Sequence, residues 1–125
     1  KTDLPSAARR HVEAADTLDS TKRRDVAGYL YGIAAECAAK AMLVDIGIRR
    51  DDLLFSHFPE LRTLIRDVLS GRRASHLAAL INEDSFMNNW HVRMRYTNGK
   101  HLHDALIDSW KDQAHRIVNT MSTVA

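Results

Sequence analysis

Arg95 and His101, with five residues between them, could together do acid–base chemistry on a phosphodiester. A neutral imidazole takes up a proton near neutral pH, and a guanidinium neutralises charge that builds on phosphoryl oxygens. In RNA, His101 would remove the proton of a 2'-hydroxyl, that oxygen would attack the adjacent phosphate, and Arg95 would hold the phosphate. Such a scheme needs no metal and no cofactor. One histidine does not easily serve as base and acid in the same step, so a two-fold dimer with two Arg95/His101 pairs in one cleft suits the chemistry. No acidic residue occurs between Asp84 and Asp104, where Arg93, Lys100, His91 and His103 stand beside Phe86, Trp90 and Tyr96. Arg93 and Lys100 would hold flanking phosphates, with His103 as a further nucleotide contact. Tyr96 or Trp90 would stack on an unpaired base, and Asn98 would donate to phosphate.

Spacing alone selects weakly. Two arginines precede a histidine by five to seven positions, in Arg50/His57 and Arg95/His101, and chance supplies about two. Only the second lies in the acid-free stretch, and that position together with the family resemblance given below selects it. On a regular helix the two side chains would lie about 120° apart and share no face. Asn98-Gly99 is a turn dipeptide. It predicts Arg95 before a kink and His101 in the first turn of the last helix, where the positive helix end favours neutral imidazole. Structural readings stand beside these. Arg95 could pair with Glu36 or Asp104 while His101 caps the helix, Glu36 and Lys40 form an ordinary helix pair, and Trp90 and Trp110 anchor the core. The arginine pairs at 9/10, 23/24, 49/50 and 72/73 read as solvated faces. His101 and His103 would diverge by about 200° on a helix with no carboxylate cluster to complete a ligand set, so no metal site is expected. The absence of a Gly-rich phosphate loop excludes a P-loop enzyme.

The elements that position these groups are helical. Apolar residues recur at three- and four-residue steps, which predicts an all-α antiparallel bundle of four main helices plus one or two short ones. The first runs from Pro5 to about Leu18, with Leu4, Ala8, Val12 or His11, Ala15 and Leu18 as one stripe. The second, from Arg23 to Ile46 and stopped by Gly47, has a wide apolar face and is the central helix. Its Gly28, Gly32, Ala35 and Ala39 predict close approach by a neighbouring helix or protomer. A loop follows from Ile48 to Phe58. Pro59 starts a helix to Ser70, with Leu61, Leu64, Ile65 and Val68 inward. A shorter helix spans Ala74 to Asn82, a turn passes through Phe86 to Arg93, and a last helix from Leu102 to Thr120 sets Leu102, Leu106, Trp110, Ile117 and Met121 inward, with Ala105, Ala114 and Val118 filling gaps.

The chain has 125 residues, 45% hydrophobic and 27% charged, the size and composition of one globular domain. Its formal charge of +2 does not by itself argue for nucleic acid. No window approaches the ~18 apolar residues of a membrane span, and Lys1 to Leu4 lacks the start of a signal peptide. The single Cys37, set among Ala and Ile, forms no internal disulfide and reads as inert. Together these predict a cytoplasmic protein with no membrane contact.

The second helix, Gly28-Tyr-Leu-Tyr-Gly-Ile-Ala-Ala-Glu-Cys-Ala-Ala-Lys-Ala-Met-Leu43, resembles the signature helix of HEPN domains (higher eukaryotes and prokaryotes nucleotide-binding). The matching positions are Ala34, Ala35, Glu36, Lys40, Ala41, Met42 and Leu43. Ala7 to Asp16 resembles the family's opening helix, His57 a frequent histidine before the third helix, and Arg95-Tyr96 the Arg-Tyr ahead of the last. The resemblance spans nearly the whole chain. It implies a small, dimerising α-bundle and, in many members, a metal-independent RNase of toxin–antitoxin or defence systems with an Arg, four to six residues, then a His, which fits Arg95 and His101. A noncatalytic branch also shows Arg-Tyr here and binds nucleotides or partners, such as a minimal nucleotidyltransferase forming a toxin–antitoxin pair with it. A dimeric interaction bundle without ligand is the third class of reading.

Overall fold

The computed structural model describes residues 1–70 and 76–123. Six α-helices and one 3₁₀ helix make an all-α bundle with no strand among the described residues. They are α1 (Leu4–Ser20), α2 (Arg24–Asp45), α3 (Asp51–Leu54), α4 (Glu60–Leu69), α5 (His76–Ile81), the 3₁₀ helix Val92–Tyr96 and α6 (Asp104–Thr123). Gly71 and the expected start of the short helix at Ala74 lie outside the described residues.

Helix α1 starts where Asp3 accepts from the Ser6 amide at 3.1 Å, with Pro5 in its first turn. It buries Ala8, Val12 and Ala15 against α2. The longest element, α2, packs along both α1 and α6 and is the central helix. Gly47 ends it at φ +88°, a left-handed step that lets Ile48 donate back to the Leu43 carbonyl at 2.9 Å. The expected loop from Ile48 to Phe58 contains a single helical turn, α3, begun by Asp51 and Asp52 at the positive end and anchored by buried Leu53. Leu61, Ile65 and Leu69 are the buried stripe of α4.

In α6 the expected inner residues Trp110, Ala114, Ile117 and Val118 are buried, but Ile107 joins them and Ala105 faces solvent. The face is set by Gln113, whose Nε2 donates to the Ser85 carbonyl at 2.7 Å and whose Oε1 accepts from the Met87 amide. These bonds turn the buried face toward the segment after α5. The small-residue face of α2 is filled from within the chain. A Cβ on Gly28 would meet the Trp110 ring at 3.2 Å, and one on Gly32 would fall inside the Trp90 ring.

Charge fastens the start of α6 to the α1–α2 corner. Arg24 donates to Asp19 at 2.7 Å, to Asp104 at 3.0 Å and to Asp108, while Lys111 reaches Asp19 at 2.8 Å. The Lys111 ammonium and then the Arg24 guanidinium hold the Asp19 carboxyl below its ordinary value of 3.8. A depressed folded value means that this stability is present above about 3.8 and lost as pH falls through the lower folded value. Arg24→Ala is expected to cost about 1–2 kcal/mol, read as a lower urea midpoint, because it leaves three carboxylates together. The loss should shrink in high salt. An unchanged midpoint at low salt would show that the cluster contributes nothing.

Candidate functional site

The segment after α5 is built outward from Trp90. Its ring is buried, its Nε1 donates to the Gly28 carbonyl at 3.2 Å, and it stacks on Tyr29 with centroids 5.7 Å apart. The 3₁₀ helix follows. Its first turn is capped by His91 Nδ1, which accepts from the Arg93 amide at 3.1 Å, and buried Met94 holds it down. A tight turn then carries the chain to α6. Thr97 bonds back to the Met94 carbonyl at 2.9 Å, Asn98 Oδ1 accepts from the Lys100 amide at 3.0 Å, and Gly99 takes φ +77°. The His103 carbonyl accepts from Ile107 at 3.1 Å, so His103 is the residue that leads into α6.

Arg95 projects from this segment beside α2. Its Nη1 donates to the Tyr29 hydroxyl at 3.2 Å, and its guanidinium carbon lies 4.9 Å from the centre of the Tyr96 ring. The Tyr29 hydroxyl, and Tyr96 after it, push the guanidinium further up from its ordinary value. It is held as a cation with donors left over, since Arg carries five. The cleft beside it has about 160 Å³ of room and is lined by Asp25, Tyr29, Met94, Arg95, Gly99 and Leu102 among others. Tyr96, whose ring faces the Arg95 guanidinium, is 76% exposed. Arg93, Lys100, His101 and His103 are exposed on the same segment.

Several expectations are corrected. His101 is in the turn three residues ahead of Asp104, not in the first turn of the last helix, because Asn98-Gly99 folds the chain back and the Gly99 carbonyl takes the Leu102 amide at 3.1 Å. No helix end therefore orients its ring. Arg95 pairs with neither Glu36 nor Asp104: Glu36 is buried, and Asp104 belongs to Arg24. Trp90 is no stacking platform, being 1% exposed. That leaves Tyr96. Asn98 spends its carbonyl oxygen on the turn, so its amide NH₂ is what it could offer a phosphate.

One pair of residues escaped the sequence reading, and another group was given the wrong setting. Asp25 and Tyr29, four apart on α2, line the cleft beside Arg95. The other is a buried carboxylate. Glu36, 2% exposed, accepts from His57 Nδ1 at 2.8 Å and from the Phe58 amide at 2.7 Å instead of forming a surface pair with Lys40. Burial pushes the Glu36 carboxyl up and the Lys40 ammonium down. It also pushes the Cys37 thiol up, which fits an unreactive sulfur. The available signal was Tyr29, Glu36 and Lys40 recurring on one stripe of α2, three polar groups on the most apolar helix of the chain.

Comparison of the chain with protein-family models, with curated proteins and with solved structures finds no match. No helix among the described residues is long and apolar enough to cross a membrane.

Proposed function

We propose that this chain is a HEPN-type RNA-binding module of the cytoplasm that works as a homodimer and cleaves RNA without a metal. The observation that carries the reading is the Arg95 guanidinium, held by Tyr29 at the rim of a cleft in the acid-free segment, with Lys100 and His101 on the adjoining turn. A cation fixed by a neutral hydroxyl keeps its full charge for an anion. In this mechanism His101 takes the 2'-hydroxyl proton, the oxygen attacks phosphorus, and the 5'-oxygen leaves with a proton from the partner's His101. The products are a 2',3'-cyclic phosphate and a 5'-hydroxyl. The partly exposed apolar stripe Val26, Leu30, Ile33 and Cys37, next to Tyr29, supports the dimer, because a second copy seated on it would bring two Arg95 side chains to one seam.

A binding-only module is the second reading, favoured by one feature: the His101 ring has no hydrogen-bond partner among the described residues that would fix it as a base. Its partner would be a nucleotide, an antitoxin or a minimal nucleotidyltransferase. Incubation with unstructured RNA in EDTA separates the two. Under the RNase reading the native protein leaves 2',3'-cyclic ends, while Arg95→Ala and His101→Ala, folded alike, leave RNA intact. Inert native protein at high concentration that still binds RNA through Arg95 establishes the binding-only module instead.

A further inference from the structure

The cleft beside Arg95 contains a carboxylate that neither phosphate binding nor proton transfer uses. Asp25 stands in the first turn of α2 and lines the cleft with Tyr29 and Arg95. Its side chain is 42% exposed. Oδ1 forms a long, exposed ion pair with Arg23 Nε at 3.5 Å, and no donor among the described residues reaches Oδ2. Gly99 crosses close by. A Cβ there would lie 3.0 Å from Asp25 Cβ and 3.4 Å from Oδ2, so a side chain at this position would crowd the carboxylate.

The charges along the cleft are ordered. A phosphate is drawn to Arg95, and to Lys100 and Arg93 exposed on the same segment, and it is repelled by Asp25. A base has no such conflict. With its phosphate on Arg95, an unpaired base directed inward meets Tyr29, Met94 and Leu102, and its edge meets Asp25. A carboxylate can only accept hydrogen bonds. Guanine presents two adjacent donors on its Watson–Crick edge, N1–H and the N2 amino group. Adenine and cytosine each set a ring-nitrogen lone pair beside the amino group, and uracil flanks its single N–H with two carbonyls, so each would place an acceptor against the carboxylate. The room, about 160 Å³, suits one base and not a duplex.

We propose that this cleft is a guanine pocket for single-stranded RNA, in which Asp25 accepts from N1–H and N2–H of the base while Arg95 holds its phosphate. The proposal rests on the RNA-binding reading and makes Asp25 its specificity-determining residue. A site that pairs donors discriminates against bases that leave its acceptor unmatched. At a half-exposed carboxylate the preference should be about tenfold.

The test uses 2'-O-methyl hexaribonucleotides, which cannot be cleaved through the 2'-oxygen, and reads affinity by fluorescence anisotropy. One hexamer is all adenosine, one carries a central guanosine and one a central inosine, which keeps N1–H and lacks the amino group. The guanosine hexamer should bind about tenfold tighter than the adenosine one, with inosine between them. Asp25→Asn should erase that preference, with the adenosine hexamer bound at least as tightly as by the native protein, because the charge that repels its phosphate is gone. Equal binding of the three by the native protein, or a guanosine preference that survives Asp25→Asn, overturns the proposal. If the hexamers bind alike and Arg95→Ala still weakens them, the guanine assignment alone falls. If none binds, the RNA-binding reading falls and the pocket with it.

Discussion

Gly32→Ala is expected to destabilise the fold by about 2–4 kcal/mol, although alanine is the better helix former by about 1 kcal/mol. The added methyl would lie 1.9 Å from Trp90 Cε2 and 2.0 Å from Nε1, distances that no contact tolerates. The ring has nowhere to go. It is stacked on Tyr29, meets Phe58 edge-on at 6.2 Å, and is pinned by its bond to the Gly28 carbonyl. Expelling it forfeits the burial of the largest side chain in this part of the core and opens a cavity between α2 and Phe58. Gly28→Ala is the natural control. Its methyl would meet the Trp110 ring at 3.2 Å and Ile107 at 3.4 Å, a crowding of a few tenths of an ångström that the helix gain largely offsets. Urea midpoints followed by tryptophan fluorescence should drop sharply for Gly32→Ala and little for Gly28→Ala. A Gly32→Ala protein as stable as the native one would refute the packing argument. Because Trp90 supports Tyr29 and Tyr29 holds Arg95, the same variant should also lose RNA affinity.

The small-residue spacing on α2 was therefore legible as a close approach, while the approaching group was not. Spacing reports that something comes near; here a neighbouring helix does so at Gly28, through Trp110 of α6, while at Gly32 it is Trp90, which belongs to no helix. The main helices were legible for a simpler reason. Each buries one stripe, and stripes at three- and four-residue steps survive in the sequence, with Pro5, Gly47 and Pro59 marking ends by their backbone limits. The rotation of α6 was not legible, because the buried amide of Gln113 fixes it through carbonyls and amides that carry no sequence signal.

The site was legible in part for a related reason. A run of basic and aromatic residues without acids is a property of composition, and it does fall on one exposed segment. What composition could not supply was the partner of each group. Arg95 takes the Tyr29 hydroxyl across 66 positions of sequence, and Asp25 enters the cleft from the same helix face. His101 was placed one turn too far into the helix, since the Asx turn at Asn98 and the left-handed Gly99 use up the residues that would otherwise have begun α6.

Glu36 is the polar residue on which the join between α2 and α4 depends. A carboxylate only accepts, so His57 donates through Nδ1 and the Phe58 amide takes the second oxygen, both bonds 2.7–2.8 Å long. Glu36→Ala leaves the Phe58 amide buried without an acceptor and Lys40, itself 7% exposed, without its nearest countercharge. A loss of about 3 kcal/mol is expected. Glu36→Gln preserves shape but turns an NH₂ toward one of the two donors, for about 1–3 kcal/mol. The pH dependence has a definite sign. Burial raises the Glu36 carboxyl above its ordinary value of 4.5, against the opposing pull of His57 and Phe58. A raised folded value means that the stability tied to this proton is complete below about 4.5 and is lost as pH rises through the folded value. The margin of native protein over Glu36→Gln should thus narrow from about pH 4.5 to neutrality, opposite in direction to the acid loss at Asp19. Urea midpoints of both proteins across that range measure it. A margin that widens with pH would mean that the two hydrogen bonds outweigh the burial of the charge, and that this carboxylate is a net stabilising group at neutral pH.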